Sequence, residues 1–276
     1  MEKEILYQGK KNYYSVIGKG PTAVFVHGFG EDSAVWKNQI EFLKNDFRLI
    51  VPDLPGTGKS EMIDDMTMEG MAEVIKNIID AESSKVPPSG GFMGAVLIGH
   101  SMGGYIVLAF ADKYPQLLNG FGLLHSTSHP DSEEKKATRQ KGIEFMKKHG
   151  GFEFLKTAVP NLFSPGTKDE MPGLVDEFLN SLRNFSGDAL ASYYEAMMQR
   201  PDRTAVLKNV NVAVLLIAGE FDNAVPLKDS LELAHLPGKL YFHVLKKSGH
   251  MGMLEEAEKT SRLLRNYLND LNPNSD

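Results

Sequence analysis

The strongest chemical signal in this chain of 276 residues is a serine flanked by glycines. Ser101 lies in the run Gly99–Gly103 (GHSMG), which matches the pattern G-x-S-x-G. Residues 95–98 precede it as a buried strand would, and the small residues after it predict a helix. A sharp turn from strand to helix strains the serine backbone and leaves room only for glycines two residues away. The pattern therefore predicts a nucleophilic serine, whereas a serine at a glycine-rich turn would otherwise be an ordinary helix cap.

The elements that must position Ser101 alternate between two types along most of the chain. Short apolar runs predict the strands Ala23–His27, Phe47–Val51, Ala95–Gly99, Gly120–His125, Val212–Ala218 and Leu240–Leu245. Amphipathic patterns predict the helices Met68–Glu82, Gly103–Tyr114, Leu227–Leu236 and Glu255–Leu268. Such alternation is typical of an α/β fold with a doubly wound, mostly parallel sheet. Tyr13–Ile17 is predicted to add an antiparallel edge strand, and the Pro- and Gly-rich residues 87–91 are predicted to form a loop.

One interval breaks this alternation. From about Ser126 to Arg203 no strand-like run occurs, and the pattern is helical. The many aromatic, leucine and methionine side chains of this interval must pack on another surface, and the top of the sheet is available. We therefore expect a core formed by residues 1–125 and 206–276, with a helical cap inserted at residues 126–205.

The sequence Gly-His-Ser-Met-Gly-Gly after a strand resembles the α/β-hydrolase superfamily, and the resemblance extends over nearly the whole chain outside the insertion. It implies a sheet of the α/β-hydrolase type with an inserted helical cap, and a reaction that needs no cofactor and no metal. Members of this kind include carboxylesterases, C–C bond hydrolases, perhydrolases and lipases of small esters, so the fold does not define the substrate. The presence of Ser101, rather than an aspartate, argues against dehalogenase and epoxide hydrolase chemistry.

The resemblance also places two backbone N–H groups around the oxyanion that forms when a serine attacks a carbonyl carbon. One belongs to Met102, the residue after the nucleophile. The other belongs to Phe29 in the sequence His27-Gly28-Phe29-Gly30, which ends an early predicted strand. We interpret His27 as a structural imidazole that ties this loop, rather than as a catalytic group.

In this superfamily the acid and then the histidine follow the serine along the chain. The histidines that follow a plausible acid are His235, His243 and His250. His243 alternates inside a predicted strand and His235 lies near a helix end, whereas His250 lies in a loop after the last strand. We expect His250 to be the base, and the alternative is a surface histidine in a loop.

The acid is predicted from the sequence Gly219–Pro226 (GEFDNAVP), which resembles the superfamily pattern Gly-x-x-Asp-x-x-Val-Pro. This match selects Asp222 as the carboxylate that orients the imidazole. Glu220 is the nearest competitor, and Asp229 falls inside the next predicted helix. Each of these carboxylates could instead be an ordinary solvated group.

Composition argues against several classes of partner. The chain has 30 Lys and Arg against 36 Asp and Glu, a net charge of −6, so we expect no binding to nucleic acid or to an anionic membrane. It has no cysteine and therefore neither disulfides nor thiolate metal sites. Neither a signal-peptide pattern nor a long apolar run is found, and we expect a cytoplasmic protein that acts on a small molecule. Nothing in the composition predicts the oligomeric state.

Two stretches resemble other kinds of site. Residues 56–60 (GTGKS) end like a phosphate-binding loop, but Asp53 stands at the first required glycine and would repel phosphate. Residues 125–131 contain two histidines and an aspartate, which could suggest a metal. We interpret that stretch instead as the entrance to a helix, with Asp131 or Ser132 as the cap. No cofactor or metal site is therefore predicted.

The sequence thus predicts hydrolysis through an acyl-enzyme. His250 would deprotonate Ser101, and Asp222 would orient the imidazole. The N–H groups of Phe29 and Met102 would bind the oxyanion. The expected substrate is a small to medium, hydrophobic carboxylic ester. Hydrolysis of a C–C bond, a lactone or a thioester at the same site is an alternative, as is a weakly catalytic ligand-binding protein or a lyase.

Overall fold

A computed structural model describes residues 1–83 and 94–272, so the loop predicted at residues 87–91 lies outside the described residues. The strands are β1 (Glu2–Tyr7), β2 (Lys10–Ile17), β3 (Thr22–Val26), β4 (Arg48–Pro52), β5 (Ala95–His100), β6 (Leu118–Leu124), β7 (Ala213–Gly219) and β8 (Leu240–Leu245). They form one sheet in the order β1-β2-β4-β3-β5-β6-β7-β8. β2 is antiparallel to both β1 and β4, and the other neighbouring strands are parallel. The predicted mostly parallel sheet is confirmed.

The helices alternate with these strands and cover both faces of the sheet. They are α1 (Lys37–Leu43), α2 (Met68–Ser83), α3 (Met102–Lys113), α4 (Glu133–His149), α5 (Gly151–Ala158), α6 (Pro165–Glu170), α7 (Pro172–Ser181), α8 (Gly187–Gln199), α9 (Thr204–Asn209), α10 (Leu227–Leu233), α11 (Gly252–Glu255) and α12 (Ala257–Asp270). Short 3₁₀ turns occur at Ser33–Trp36, Pro115–Leu117 and Val159–Leu162. In the described part of the chain, every helix is too short or too polar to cross a bilayer.

Alternating strand residues divide the interior into two cores. In β3, Val24 and Val26 pack on the face covered by α2 and α3, whereas Ala23 and Phe25 pack on the face covered by α1 and α12. Both faces are apolar because a parallel sheet is buried on both sides. The consequence for function is that the carboxyl ends of β3, β5, β6, β7 and β8 meet at one edge, where loops can bring distant residues together.

The predicted strands lie within three residues of their observed positions, but some elements differ from the prediction. β1 and α1 were not expected, and β1, rather than β2, forms the edge of the sheet. The helix predicted at Glu255–Leu268 is broken between α11 and α12 at Glu256, whose backbone is not helical. The break has a physical cause, because the Glu256 carboxylate accepts hydrogen bonds from Lys247 N–H and the Ser248 hydroxyl, at 2.9 and 2.8 Å.

The interval between β6 and β7 contains the helices α4 to α9 and no strand. α4 begins after Ser132, whose hydroxyl accepts a hydrogen bond from Lys135 N–H at 3.2 Å, so the predicted helix cap is confirmed. Asp131 is not the cap. Its carboxylate is buried and paired with Arg139 at 2.6 Å and with Arg200 at 2.9 Å. These ion pairs tie the loop before α4 to α4 itself and to the residue that follows α8.

Candidate active site

Ser101 lies at a strained turn between β5 and α3. Its backbone has φ 50° and ψ −116°, a conformation that residues with a side chain rarely adopt. A Cβ added at Gly99 would collide with the Gly103 carbonyl group, and one added at Gly103 would collide with the carbonyl oxygen of Val26 in β3. The two glycines of the motif are therefore required by close backbone contacts on both sides of the serine.

The turn is held by hydrogen bonds to the next strand of the sheet. Ser101 N–H donates to Leu124 O at 2.9 Å, and the Ser126 hydroxyl donates to Ser101 O at 2.7 Å. Gly104 is needed here as well, because an added Cβ would collide with the Ser126 side chain. β6 and the residues after it thus fix the backbone of the predicted nucleophile.

Asp222 lies three residues after the end of β7 and is buried. Its Oδ1 accepts hydrogen bonds from the N–H groups of Ala224 and Val225, at 2.8 and 2.9 Å. Its Oδ2 accepts from the Nδ1 atoms of His250 at 2.8 Å and His125 at 3.1 Å. The carboxylate therefore accepts four hydrogen bonds, two on each oxygen.

These contacts set the charge of the buried pair. Burial alone would raise the pKa of Asp222, but the charge of His250 and the hydrogen bonds from both histidines lower it well below its usual range. Burial alone would lower the pKa of His250, but the charge and hydrogen bond of Asp222 outweigh it and raise that pKa. Asp222 is thus ionised, and His250 is a stronger base than an ordinary imidazole.

The backbone of His250 is fixed from three directions. Its N–H donates to Leu162 O at 2.6 Å, and its carbonyl oxygen accepts from His100 Nε2 at 2.9 Å. The N–H groups of the residues on either side of it donate to Glu255 Oε1, at 2.8 and 3.1 Å. Because His100 directly precedes Ser101, its hydrogen bond joins the loop of the predicted base to the turn of the predicted nucleophile.

A buried hydrogen-bonded pair connects His100 to the loop after β3. The two oxygens of Glu31 lie 2.9 and 3.0 Å from His100 Nδ1, and Oε2 also accepts from Gly28 N–H at 2.7 Å. Burial would raise the pKa of Glu31, but the charge and hydrogen bond of His100 and the Gly28 N–H lower it overall. Glu31 therefore holds the backbone next to Phe29 against the residue next to Ser101.

The predicted oxyanion donors lie beside this pair. Within the described residues, no protein group accepts a hydrogen bond from the N–H of Phe29 or of Met102. Both amides are therefore available to a substrate oxygen, although their assignment as an oxyanion hole is still a proposal.

His27 has the structural role predicted for it. Its Nδ1 lies 2.9 Å from Gly28 O, and its Nε2 accepts from Leu54 N–H at 3.0 Å. The Asp53 carboxylate accepts a hydrogen bond from Ser33 N–H at 3.0 Å. Both residues tie the loop after β4 to the loop after β3.

The other residues that were considered as the acid or the base lie away from this site. Glu220 forms an ion pair with Lys246 at 2.8 Å on the surface, and Asp229 lies within α10. His243 lies within β8. Of the three histidines considered, only His250 contacts Asp222 in the described part of the chain.

Sequence reasoning did not select His100, Glu31 or His125 as functional residues. The place of His100 inside the G-x-S-x-G motif was a signal that could have found it, but the other two become visible only through contacts across the sheet. Among the described residues, His125, Asp222 and His250 form one group whose atoms could hold a metal ion. In the structure, the Nδ1 atoms of both histidines are used in hydrogen bonds to Asp222.

A doubly wound parallel sheet, with a carboxylate, an imidazole and a strained serine at its carboxyl edge, defines a hydrolytic α/β fold. The chain belongs to the alpha/beta hydrolase family, whose sequence profile matches residues 23–263. It is a hydrolase of this fold.

Individual proteins of known name are similar to this chain over most of its length. A 2-hydroxy-6-oxo-6-phenylhexa-2,4-dienoate hydrolase from Comamonas testosteroni is 24% identical over 288 residues, which cover 93% of this chain and 90% of that protein. A pimeloyl-acyl-carrier-protein methyl ester esterase from Vibrio atlanticus is 25% identical over 274 residues, with 89% and 93% covered. The structure of a thermophilic esterase from Thermogutta terrifontis, with malate bound, has a TM-score of 0.90 and 29% identity, with 98% and 99% covered.

Gly103, in the turn that holds Ser101, provides a first test. We expect Gly103→Ala to lower the free energy of unfolding by about 3 kcal/mol, because the new Cβ collides with the backbone of β3. Gly173→Ala in α7 is the matched control, since an added Cβ there meets open space. Denaturant unfolding of both variants measures the difference, and equal stability would contradict the close contact.

The Glu31 pair provides a second test. Glu31→Ala leaves His100 and Gly28 N–H without their buried acceptor, and we expect a loss of about 3 kcal/mol of unfolding free energy. Glu41→Ala removes an exposed carboxylate paired with Lys44 and should change stability little. If the two variants unfold at the same denaturant concentration, the contacts of Glu31 with His100 and Gly28 do not stabilise the folded protein.

Proposed function

We propose that this protein is a serine hydrolase that cleaves small to medium, hydrophobic carboxylic esters through an acyl-enzyme at Ser101. The observation that carries the proposal is the buried hydrogen bond of 2.8 Å between His250 Nδ1 and Asp222 Oδ2. Because Nδ1 is occupied in this way, Nε2 is the nitrogen of His250 that can accept the serine proton. The bond between His100 and the His250 carbonyl holds this imidazole close to the serine turn.

The proposed reaction has two halves. His250 takes the hydroxyl proton while Ser101 Oγ forms a bond to the substrate carbonyl carbon, and the negative charge moves to the carbonyl oxygen. The N–H groups of Phe29 and Met102 donate to that oxyanion. His250 then gives its proton to the leaving alcohol as the ester C–O bond breaks. Water repeats the sequence on the acyl-enzyme and releases the acid and the free serine.

The side chain of Phe29 supports an apolar acyl group. Its ring stacks on Tyr194 of α8 with centroids 4.4 Å apart, and meets Phe154 of α5 edge to face at 6.3 Å. All three aromatic side chains are only partly buried, which leaves ring surface available to a ligand. We therefore also propose that residues 126–205 form a cap over the site, with the rings of Phe154 and Tyr194 in its inner wall against Phe29.

C–C bond hydrolysis is the second candidate. The Comamonas testosteroni relative is named for a substrate that contains no ester group, so its hydrolysis requires cleavage of a C–C bond. The esterase from Thermogutta terrifontis is the more similar of the two in sequence, at 29% against 24% identity, and this favours the ester.

The substrate proposal is tested with p-nitrophenyl esters of acetate, butyrate and octanoate, and with a ring-cleavage dienoate as the C–C substrate. We expect turnover of the esters, and a fall of at least about 10³-fold in kcat/KM for Ser101→Ala. A fluorophosphonate probe should label the native protein and leave Ser101→Ala unlabelled. Preferred cleavage of the dienoate, or of esters with charged acyl groups, would contradict the proposed substrate class.

The pH dependence tests the base. His250 must be neutral to accept a proton, and its pKa is raised above the ordinary 6.5 by Asp222. Activity should therefore be lost as the pH falls through a midpoint above 6.5, with kcat/KM following one protonation. A flat profile from pH 5 to 8 in a protein that stays folded would exclude His250 as the base.

A further inference from the structure

A second histidine bonds to the same oxygen of the predicted catalytic acid. His125 lies just after β6, and its Nδ1 is 3.1 Å from Asp222 Oδ2, which also accepts from His250 at 2.8 Å. The centroids of the two imidazole rings are 5.7 Å apart, with the ring planes at 69°. The acid is therefore shared between two imidazoles, of which the proposed mechanism uses only one.

The surroundings of His125 define its protonation. The ring is fully buried, and Nε2 has no hydrogen-bond partner among the described residues. An unpaired acceptor nitrogen in the interior costs less than an unpaired, charged N–H group. Burial, together with the charges of His250 and His100, also lowers the pKa of His125 against the opposing effect of Asp222. His125 is thus a neutral imidazole with its proton on Nδ1, where it donates to the carboxylate.

The fold provides a specific place for this ring. The His125 backbone has φ 49°, in the left-handed region that a residue with a side chain rarely occupies, and its N–H donates to Ile217 O at 2.8 Å. Gly252, at the start of α11, leaves the space for the imidazole, since an added Cβ would collide with Nε2. A strained backbone and a required glycine both serve to keep the ring against Asp222.

We propose that His125 is a positioning residue, which fixes the carboxylate of Asp222 and sets how strongly His250 holds its proton. The proposal rests on the roles of Asp222 and His250 in the proposed function. A hydrogen bond to a carboxylate withdraws part of its negative charge. The second donor therefore weakens the attraction between Asp222 and a protonated His250, and leaves more of the neutral base near pH 7.

The other charged groups near His250 shift its pKa in a known direction. Glu31 and Glu255 both raise its pKa. The centroid of the His100 ring lies 5.0 Å from that of the His250 ring. These groups belong to other elements and stay in place when residue 125 is changed. A change at His125 therefore acts on His250 through Asp222.

The test compares two substitutions of His125. Leucine removes the donor, whereas asparagine keeps an N–H group close to the position of Nδ1. We expect His125→Leu to move the acid limb of the kcat/KM profile upwards by about 0.5 to 1 pH unit, which is a three- to tenfold loss of activity on that limb. His125→Asn should restore most of the native profile. His243→Leu, in β8 and away from Asp222, is the matched control and should not move the limb.

The titration of His250 is also followed by NMR in protein with isotope-labelled histidine. This readout separates the two proposals, because it needs no substrate and remains informative if Ser101→Ala proves the proposed function wrong. A His250 titration that moves in His125→Leu and returns in His125→Asn supports the positioning role. A titration unchanged in His125→Leu, or moved equally by His243→Leu, overturns it. Nitrogen shifts that place the His125 proton on Nε2 in the native protein would overturn it without any variant.

Discussion

The buried charge of Asp222 imposes the main constraint on this structure. An ionised carboxylate is stable in the interior only if donors surround it, and here they come from three separate parts of the chain. Ala224 and Val225 supply backbone N–H groups after β7, His125 supplies a ring proton after β6, and His250 supplies another after β8. Three adjacent parallel strands must therefore end at matching heights for this charge to be buried, so the register of the sheet and the chemistry of the site depend on each other.

Much of the fold, and the contact between Asp222 and His250, could be predicted because the signals are local or depend only on chain order. Buried parallel strands are apolar runs, and Ser101, Asp222 and His250 each lie within five residues of the end of one of them. Other elements have no local signal. β1 alternates exposed and partly buried residues at the sheet edge, and the break at Glu256 depends on a carboxylate that bonds to a neighbouring loop.

The residues that support the site also have no local signal, and they could not be predicted from the sequence. Glu31 and His100 are 69 residues apart in sequence, and His125 and Asp222 are 97 residues apart. Their pairing requires knowledge of which strands are neighbours and in which register. Nothing in residues 125–131 distinguishes a histidine that bonds to an acid from one that merely precedes a helix, and only the structure separates the two readings.

The hydrogen bond from His250 N–H to Leu162 O has a consequence for redesign of the protein. Leu162 belongs to the helical segment between β6 and β7, and Glu255 joins that segment to the same loop by accepting from Ser164 N–H at 2.8 Å. The segment that we propose as the cap is therefore also a backbone support of the imidazole. Loop grafting or library design that displaces residues 159–164 will alter the reactivity of the protein together with its selectivity. Substitutions confined to the aromatic residues Phe154 of α5 and Tyr194 of α8 leave that support in place.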